Sequence, residues 1–478
     1  MLTLHDIRVW DTEERIDVVI PQVDEARLLR ENGAQISGDI DASSMTIAPG
    51  FADPHVHFRD PGQTYKESMV SGAKAAASGG YTNVLIMPNT LLAIDGEDAV
   101  DGEPGAQEVL SSGCRTSLEY LQRYEDIHGV QLPVQYALSV CASKGREGKE
   151  ASDPARWQHE IPGHDDESKT SWQREHPVVA ISDDGSAVTP DTLEETLRNA
   201  QATGLCLIEH CEHHDTGAVN DGPIARQLGV PGIPADTELA IVERDIDAAR
   251  RTGVHIHFQH VSTALAFDAI RSAKAEGLPV TCETAPHYLA LCDEDLLRYG
   301  TMAKMNPPLR SAADRQATIA AVADGTVDML ATDHAPHTDE EKARGFVDAP
   351  NGIIGLECAY GVCHKVLVEG GYIDEQRLIE LMSVAPSRLV GHRPTDVAAL
   401  LNTSSSCATK RVLDLAAVEH PDQVNLVILD TTRRWTVDPE RFHSAARNTP
   451  FAGWEVTGLP LATIIGSSLV FSRLDAAV

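Results

Sequence analysis

Hydrophobic and polar positions follow three different patterns along the chain. In the first 50 residues, short segments of alternating polarity such as Asp6–Trp10 and Ile16–Ile20 are separated by polar turns and end at Ala48-Pro49-Gly50. From about residue 51, short apolar runs alternate with longer amphipathic stretches, which is typical of repeated βα units. β-like runs return after about residue 412. The pattern predicts a few strands, then an α/β domain, then further strands.

The clearest βα units lie in the middle of the chain. Thr189 before Pro190 is typical of a helix start, and Gly204 and Gly277 are typical of helix ends. Strand, helix and strand alternate in this order, which favours a (β/α)8 barrel. The segments concerned are Pro177–Asp184, Thr189–Thr203, Leu205–Glu212, Val254–Ser262, Thr263–Glu276, Leu278–His287 and Val327–His337.

Two polar segments, Ser143–His176 and Arg393–Arg411, interrupt this alternation, and we predict both to be surface insertions. The C-terminal tail has strand-like runs that can pair with the N-terminal strands to form one small β domain. These runs are Val424–Leu429, Trp435–Val437 and Leu461–Phe471. We therefore expect N-terminal strands in 1–50, the barrel in 51–392, and the second insertion with the C-terminal strands in 393–478.

Composition indicates a large globular protein in a reducing compartment. The 478 residues are 42% hydrophobic, which is enough for a sizeable core. The sequence opens with no charged and apolar leader, and no apolar run approaches the roughly 18 residues that span a bilayer. Nine cysteines are scattered without a Cys-x-x-Cys pair, which argues against disulfides and a thiolate zinc site. We expect a cytoplasmic protein.

The net charge restricts the partners. With 39 basic and 72 acidic residues the chain carries −33, a field that repels nucleic acid and anionic membranes. The same field opposes the capture of an anionic substrate. If the substrate is an anion, a local cationic group must therefore lie in the site.

His55 and His57 are the first candidates for chemistry. They stand two residues apart after an apolar segment, and in a strand such residues face the same side. Two imidazoles would then point at one place. A His-x-His pair alone is a weak signal, because exposed or core histidines show the same spacing.

Further polar residues recur where one predicted strand after another ends. In a (β/α)8 barrel these ends form one shared cup that holds the active site. Each residue also has an ordinary structural interpretation, such as a capping turn at Asp183-Asp184-Gly185 or a satisfied core histidine at His210. Their joint recurrence favours a metal site. The residues are Asp183, Asp184, His210, His260, His287 and Asp333.

Imidazole nitrogens combined with carboxylate oxygens suit zinc or another divalent first-row metal. A catalytic site of this kind leaves one coordination position open for water. Bound zinc lowers the pKa of such a water towards neutrality, which makes attack on an amide carbonyl feasible. We therefore expect a metal-dependent hydrolase.

An ordered set of motifs gives the chain a family resemblance from about residue 47 to 471. The chain resembles the class I bacterial dihydroorotases of the amidohydrolase superfamily. The motifs are His55-Val-His-Phe-Arg-Asp-Pro-Gly62, Lys66-Glu67, Met87-Pro-Asn-Thr90, Ser182-Asp-Asp-Gly185, His210-Cys-Glu212, His260-Val-Ser-Thr263, Met305-Asn-Pro-Pro-Leu-Arg310, Thr332-Asp-His-Ala-Pro-His337 and Asn448-Thr-Pro-Phe-Ala-Gly453.

The resemblance implies roles for particular residues. Asp333 would be both a ligand and the general acid/base. The implied metal ligands are His55, His57, Asp184, His210, His260 and Asp333. The implied substrate contacts are Arg59, Asn89, Asn306, His337 and Gly352. The cofactor would be Zn²⁺, with one or two ions per chain.

Related amidohydrolases bridge two metals with a carboxylated lysine on the fourth strand, and Pro177–Gly185 contains no lysine. This favours the dihydroorotase branch that uses aspartate there. The spacing to His210 leaves both Asp183 and Asp184 open as the ligand. The chain departs from the family pattern at Ala385-Pro-Ser-Arg388 and in the two insertions, and none of these departures removes an implied ligand.

The implied reaction is the reversible closure of N-carbamoyl-L-aspartate to L-dihydroorotate and water, a step of pyrimidine synthesis. Arg59 would be the local cation, because its planar fork can hold the substrate carboxylate. Its ordinary interpretation is a surface pair with Asp60. The segment His337–Gly352, rich in charge and glycine, is expected to close over the site as a lid.

Two alternatives remain at this point. One is another cyclic amidohydrolase, such as an allantoinase or a dihydropyrimidinase, because a fold does not fix the substrate. The other is a non-catalytic barrel that serves as a scaffold for aspartate carbamoyltransferase. The family also suggests a homodimer and an aspartate carbamoyltransferase as macromolecular partners.

Overall fold

The N-terminal segment forms strands, as its alternating polarity predicts. The computed structural model describes residues 1–31, 33–163, 173, 175–212, 217–403 and 411–474. In β1, buried and half-exposed side chains largely alternate, because successive side chains of a strand point to opposite faces. The strands are β1 (Leu2–Val9), β2 (Arg15–Ile20), β3 (Gln22–Val23), β4 (Leu29–Arg30), β5 (Gly38–Asp41) and β6 (Thr46–Pro49).

Eight parallel strands form a barrel, which confirms the predicted fold. They pair in the order β16-β15-β14-β11-β10-β9-β8-β7. Val56 bridges His334, and the His57 amide donates to the His334 carbonyl at 2.9 Å, which closes the ring. The strands are β7 (Phe51–Val56), β8 (Tyr81–Ile86), β9 (Gln135–Val140), β10 (Val178–Ser182), β11 (Cys206–Glu209), β14 (Ile256–Phe258), β15 (Val280–Thr284) and β16 (Met329–Leu330), and a separate pair is formed by β12 (Val219–Asn220) and β13 (Gly232–Ile233).

Helices follow most barrel strands and pack on the outside of the barrel. Their bounds are α1 (Met69–Ser78), α2 (Ala106–Ser111), α3 (Ser117–Gln122), α4 (Tyr124–His128), α5 (Pro190–Thr203), α6 (Pro223–Leu228), α7 (Asp236–Thr252), α8 (Ala264–Ala275), α9 (Pro286–Ala290), α10 (Leu296–Tyr299), α11 (Ala312–Ala323), α12 (Asp339–Lys342), α13 (Gly345–Asp348), α14 (Ala359–Cys363), α15 (Glu375–Ile379), α16 (Ala385–Leu389) and α17 (Val397–Thr403). Two π-helical turns, His364–Val368 and Glu380–Val384, extend α14 and α15. In the described part of the chain, no helix combines the length and the apolar character that crossing a membrane requires.

The C-terminal strands complete a ten-stranded sheet with the N-terminal ones. Its main path runs β17-β2-β1-β6-β18-β19-β20-β3. Two predicted runs, Val424–Leu429 and Trp435–Val437, belong to a single long strand, and Leu461–Phe471 is split by a turn. The strands are β17 (Val412–Asp414), β18 (Asn425–Thr436), β19 (Glu455–Ile465) and β20 (Ser468–Ser472). We propose that the small β domain divides from the barrel as 1–50, 51–392 and 393–478.

The predicted start and end of α5 are confirmed, but the Thr189 side chain does not form the helix-capping hydrogen bond that is typical of an N-cap threonine. Thr189 is the N-cap of α5, followed by Pro190, and Gly204 ends the helix at φ 72. The Thr189 hydroxyl does not cap the helix. Instead it donates to the Gly148 carbonyl at 2.5 Å, so it fastens the Ser143–His176 segment to the start of α5.

The first insertion does not lie wholly on the surface. Trp157 is fully buried in the main hydrophobic core, and Ile161 packs in the same cluster. The surface prediction is therefore wrong for this stretch, since an indole without exposure is a core residue. The rest of the prediction for Ser143–His176 falls partly on 164–172 and 174, and that for Arg393–Arg411 partly on 404–410, which lie outside the described residues.

Candidate metal centre and active site

The barrel brings the six candidate ligands to one end. His55 lies in β7 and His57 directly after it. The other four follow β10, β11, β14 and β16, each just past the carboxyl end of its strand, and all six are buried. Parallel strands of a barrel end at the same rim, so residues far apart in sequence meet there. These four are Asp184, His210, His260 and Asp333.

His55, His57 and Asp333 form a first group. Their potential ligand atoms lie within 4.8 Å of one another. The Nε2 atoms of His55 and His57 are 3.2 Å apart, and Asp333 Oδ1 is 3.1 Å from His57 Nε2 and 3.5 Å from His55 Nε2. The two imidazoles thus point at one place, as the His-x-His spacing predicts.

Asp184 connects this group with a second one. Its Oδ1 lies 3.3 Å from His55 Nε2, 3.4 Å from His210 Nδ1 and 3.8 Å from His260 Nε2. Its Oδ2 lies 3.4 Å from His57 Nε2. Oδ1 therefore lies between the first group and a second group formed by His210 and His260, while Oδ2 faces the first group alone.

Asp183 faces away from the cluster. Its Oδ1 accepts from the Ser143 amide at 3.0 Å and its Oδ2 from the Ser143 hydroxyl at 2.5 Å. Of the two aspartates that the sequence leaves open, Asp184 is the one whose carboxylate lies among the histidines.

Groups behind the first two histidines fix their ring tautomers. Glu283 Oε1 accepts from His55 Nδ1 at 2.9 Å, and Asn89 Oδ1 accepts from His57 Nδ1 at 2.9 Å. A proton on Nδ1 leaves the Nε2 lone pair free to bind a metal. Sequence analysis did not single out Glu283, because it lies inside β15 between the polar residues Thr281 and Thr284 and not at the strand end.

The electrostatics of the cluster keep its carboxylates ionised. Burial alone would raise the pKa of Asp184 and of Asp333, but the adjacent His55 and His57 hold both values well below the ordinary range. Burial lowers the pKa of His287 to about 3, so this nearby ring is neutral. His287 itself contacts none of the ligand atoms through a hydrogen bond in the described structure.

The donor set fits a divalent metal ion. Four imidazoles and two ionised carboxylates converge in a buried place, and nitrogen with carboxylate oxygen is the ligand combination that zinc and similar ions prefer. Two carboxylates crowded at this depth need compensating positive charge, and a divalent ion would supply it.

A small cavity of about 130 Å³ opens directly over the cluster. Four of the five predicted substrate contacts line it, namely Arg59, Asn89, Asn306 and Gly352. Sequence reasoning missed three further lining residues, Gly185, Ala335 and Asn351, each within two positions of a predicted one. Larger cavities of about 750 and 850 Å³ lie elsewhere, and none of the six candidate ligands lines them.

Arg59 is buried and faces the cavity without a carboxylate partner among the described residues. Its Nε makes no hydrogen bond there, and burial lowers the pKa of the guanidinium to about 10, so it stays charged. The alternative pairing with Asp60 does not occur, because Asp60 accepts from the Tyr120 hydroxyl at 3.0 Å.

His337 lies behind the cavity wall rather than on its surface. Its Nε2 donates to the Asn351 carbonyl at 2.7 Å. The following segment forms α12 and α13, and Lys342 ties its end down through hydrogen bonds to the carbonyls of Lys304, Pro350 and Gly352, at 3.1, 3.1 and 2.9 Å. Of the predicted lid segment, Asn351 and Gly352 line the cavity, and these hydrogen bonds hold them in place.

Comparisons with known proteins show the family to which the chain belongs. The Amidohydrolase family model matches residues 46–394. A dihydroorotase from Brevibacillus brevis is 36% identical over 441 residues, covering 91% of this chain and 90% of that protein. A dihydroorotase from Lactiplantibacillus plantarum is 38% identical over 438 residues, covering 90% and 88%.

Solved structures share the fold at lower identity. An L-hydantoinase from Arthrobacter aurescens superposes with a TM-score of 0.69 at 22% identity, covering 100% of this chain and 97% of that one. A dihydropyrimidinase from Brevibacillus agri gives 0.69 at 19% identity, covering 99% and 96%. These similarities establish the fold, a barrel with the ten-stranded sheet beside it. The sequence relatives at higher identity identify the branch of the amidohydrolase family. The chain belongs to the amidohydrolase family and, within it, to the dihydroorotases.

Proposed function

We propose that this chain catalyses the reversible conversion of N-carbamoyl-L-aspartate into L-dihydroorotate and water. The observation that carries the proposal is Arg59, a buried cation without a carboxylate partner in the described structure, in a cavity directly over six candidate metal ligands. A ring substrate with a carboxylate needs such a cation, whereas an uncharged ring does not.

We propose Zn²⁺ as the native ion. His55, His57 and Asp333 would hold one ion, and His210 and His260 a second, with Asp184 between them. This division favours two ions per chain over one. When bound, a divalent ion lowers the pKa of a water molecule and polarises the amide carbonyl of the substrate.

Asp333 is proposed as the general acid and base. Its carboxylate is ionised and lines the cavity, so in ring opening it can accept the proton of the attacking water. It then delivers that proton to the ring nitrogen as the C–N bond breaks. In ring closure the proton moves in the opposite sense, and water leaves.

The remaining cavity residues are proposed to orient the substrate. Arg59 holds the carboxylate with its planar fork, while Asn89, Asn306 and the backbone at Gly352 surround the ring. His337 is proposed to act through Asn351, whose carbonyl it contacts, by fixing the wall against which the substrate lies.

The rival activities make different demands. A hydantoinase or dihydropyrimidinase acts on a ring without a carboxylate, so Arg59 would have no function there. A non-catalytic scaffold for aspartate carbamoyltransferase would not need an ordered set of six buried ligands.

We retain a homodimer, an aspartate carbamoyltransferase partner and a cytoplasmic location as proposals. The eight described cysteines, all free and buried, support a reducing location.

The proposal is tested by comparing two substrates on the purified, metal-loaded protein. We expect kcat/KM for L-dihydroorotate to exceed that for dihydrouracil, an uncharged ring of similar shape. A preference for dihydrouracil would point to a dihydropyrimidinase. Turnover of neither substrate by protein with full metal content would favour the scaffold.

A further inference from the structure

A second arginine lies beside the cavity, in the first insertion. Arg146 ends a single 3₁₀ turn, Lys144–Arg146, that follows β9. Its own φ of 57 is in the left-handed region. Its Nη2 lies 3.4 Å from the Asp183 carbonyl oxygen, next to the candidate ligand Asp184.

The absence of a side chain at Gly185 leaves room for this guanidinium next to the cavity wall. A β-carbon placed on Gly185 would lie 2.8 Å from Arg146 Nη2 and 3.2 Å from Asn89 Nδ2. Gly185 and Asn89 both line the cavity. Arg146 thus occupies the space that a side chain at position 185 would need, one residue behind the cavity surface.

The charge of Arg146 is incompletely neutralised. It forms no ion pair with a carboxylate in the part of the chain that the structure describes, and its buried Nε has no hydrogen-bond partner there. The Asp183 carboxylate attracts it, but both oxygens of Asp183 already accept hydrogen bonds from Ser143. A half-buried guanidinium with free donors is a ready site for an anion.

We propose that Arg146 is a substrate-positioning residue, which attracts the anionic substrate and orients it together with Arg59. This inference rests on the proposed dihydroorotase function. The open-chain substrate carries two carboxylates, and the molecule as a whole carries −33, so a single cation in the cavity leaves much of the repulsion uncompensated. A second cation beside the cavity reduces the repulsion of the anionic substrate as it approaches the site.

The test compares Arg146→Met with wild type in the ring-closing direction. We expect KM for N-carbamoyl-L-aspartate to rise about tenfold while kcat stays within about twofold, since the charge assists binding rather than chemistry. In the ring-opening direction kcat/KM must fall by the same factor, because no variant changes the equilibrium constant. Arg146→Lys should recover most of the loss. The kcat/KM of Arg146→Met should depend less on salt concentration than that of wild type.

Lys149→Met is the matched control. It removes the same charge from the same segment, but Lys149 is 79% exposed and pairs with Glu147 at 2.9 Å. We expect its KM to stay within about twofold of wild type. Equal KM values in Arg146→Met and Lys149→Met would overturn the role of Arg146 and leave the proposed function standing. A fall in kcat with lost metal or a lower Tm in Arg146→Met would replace it by a structural role. A wild type inactive on both substrates would overturn the proposed function and this inference with it.

Discussion

At the scale of single residues, two candidate ligands adopt backbone conformations that non-glycine residues rarely occupy. His260 has φ 35 and Asp333 has φ 48, both in the left-handed region. Such conformations cost on the order of 1–3 kcal/mol each and persist where the surrounding structure imposes them. Here they direct the two side chains towards the cluster, and the strain therefore marks residues whose orientation matters.

Asp333→Asn tests the proposed proton transfer. The amide keeps the size and the hydrogen-bonding shape of the side chain but cannot accept the proton of water. We expect kcat for L-dihydroorotate to fall by about 10²- to 10⁴-fold with the fold intact. Steady-state kinetics with metal analysis of the same sample provide the measurement. The control is Asp328→Asn at the opposite end of β16, where Asp328 accepts from the Cys282 amide, and it should keep its turnover. Near-normal turnover by metal-loaded Asp333→Asn would exclude the role.

At the scale of elements, the sequence predicts strand ends better than loops. His210 and His260 each follow an apolar run, and such runs end at one rim in a parallel barrel, so their meeting could be predicted. The choice between Asp183 and Asp184 could not, because it depends on Ser143 in a distant segment. The single strand β18 could not be predicted either, since it depends on pairing with β19 on both sides of its polar middle, at Asp430 and at Arg434.

Trp157 shows the same limit in the first insertion. The segment is polar on average, and one indole does not change that average, yet the side chain is fully buried. Sequence polarity describes a segment, whereas packing is decided at each side chain. The described part of the insertion is therefore joined to the barrel both through Trp157 and through the Thr189 hydroxyl.

Trp157→Ala tests whether this insertion is part of the core. We expect a loss of about 3–5 kcal/mol in the free energy of unfolding, because a large buried side chain is replaced by a cavity. Urea denaturation would measure this loss, with the backbone signal in circular dichroism as the readout because it does not depend on tryptophan fluorescence. Leu265→Ala is the matched control, since Leu265 is 53% exposed on α8 and should change stability by less than about 0.5 kcal/mol. Similar small losses in both variants would mean that the insertion is a loose surface segment.

At the scale of the whole molecule, a strongly acidic protein places two arginines at or beside its candidate active site. The net charge of −33 repels anions from most of its surface. Arg59 lines the cavity, and Arg146 lies behind it, next to the lining residue Gly185. The barrel and the ten-stranded sheet share the core through Val427 and Leu429 of β18, which keeps the two parts in one packed body.

Metal removal tests the proposed centre on the whole protein. A chelator should abolish activity and lower Tm, because the ion binds the folded state and not the unfolded chain. Differential scanning calorimetry with elemental analysis, before and after Zn²⁺ is added back, gives both readouts. The double variant His55→Ala, His57→Ala should bind metal more weakly and show little further change in Tm on chelation. An active preparation free of metal would contradict the centre.

The most direct test of the account compares Arg59→Met with wild type on L-dihydroorotate and on dihydrouracil. Methionine keeps much of the stem's volume and removes the charged fork, so the cluster and Asp333 should remain in place. A charge-assisted contact in a desolvated site contributes roughly 2–4 kcal/mol, so kcat/KM for L-dihydroorotate should fall by about 30- to 1000-fold, while that for dihydrouracil stays nearly unchanged. Arg59→Lys should recover only part of the loss, because an ammonium has no fork. An equal loss on both substrates, or no loss on L-dihydroorotate, would show that Arg59 does not hold the carboxylate and would contradict the proposed substrate.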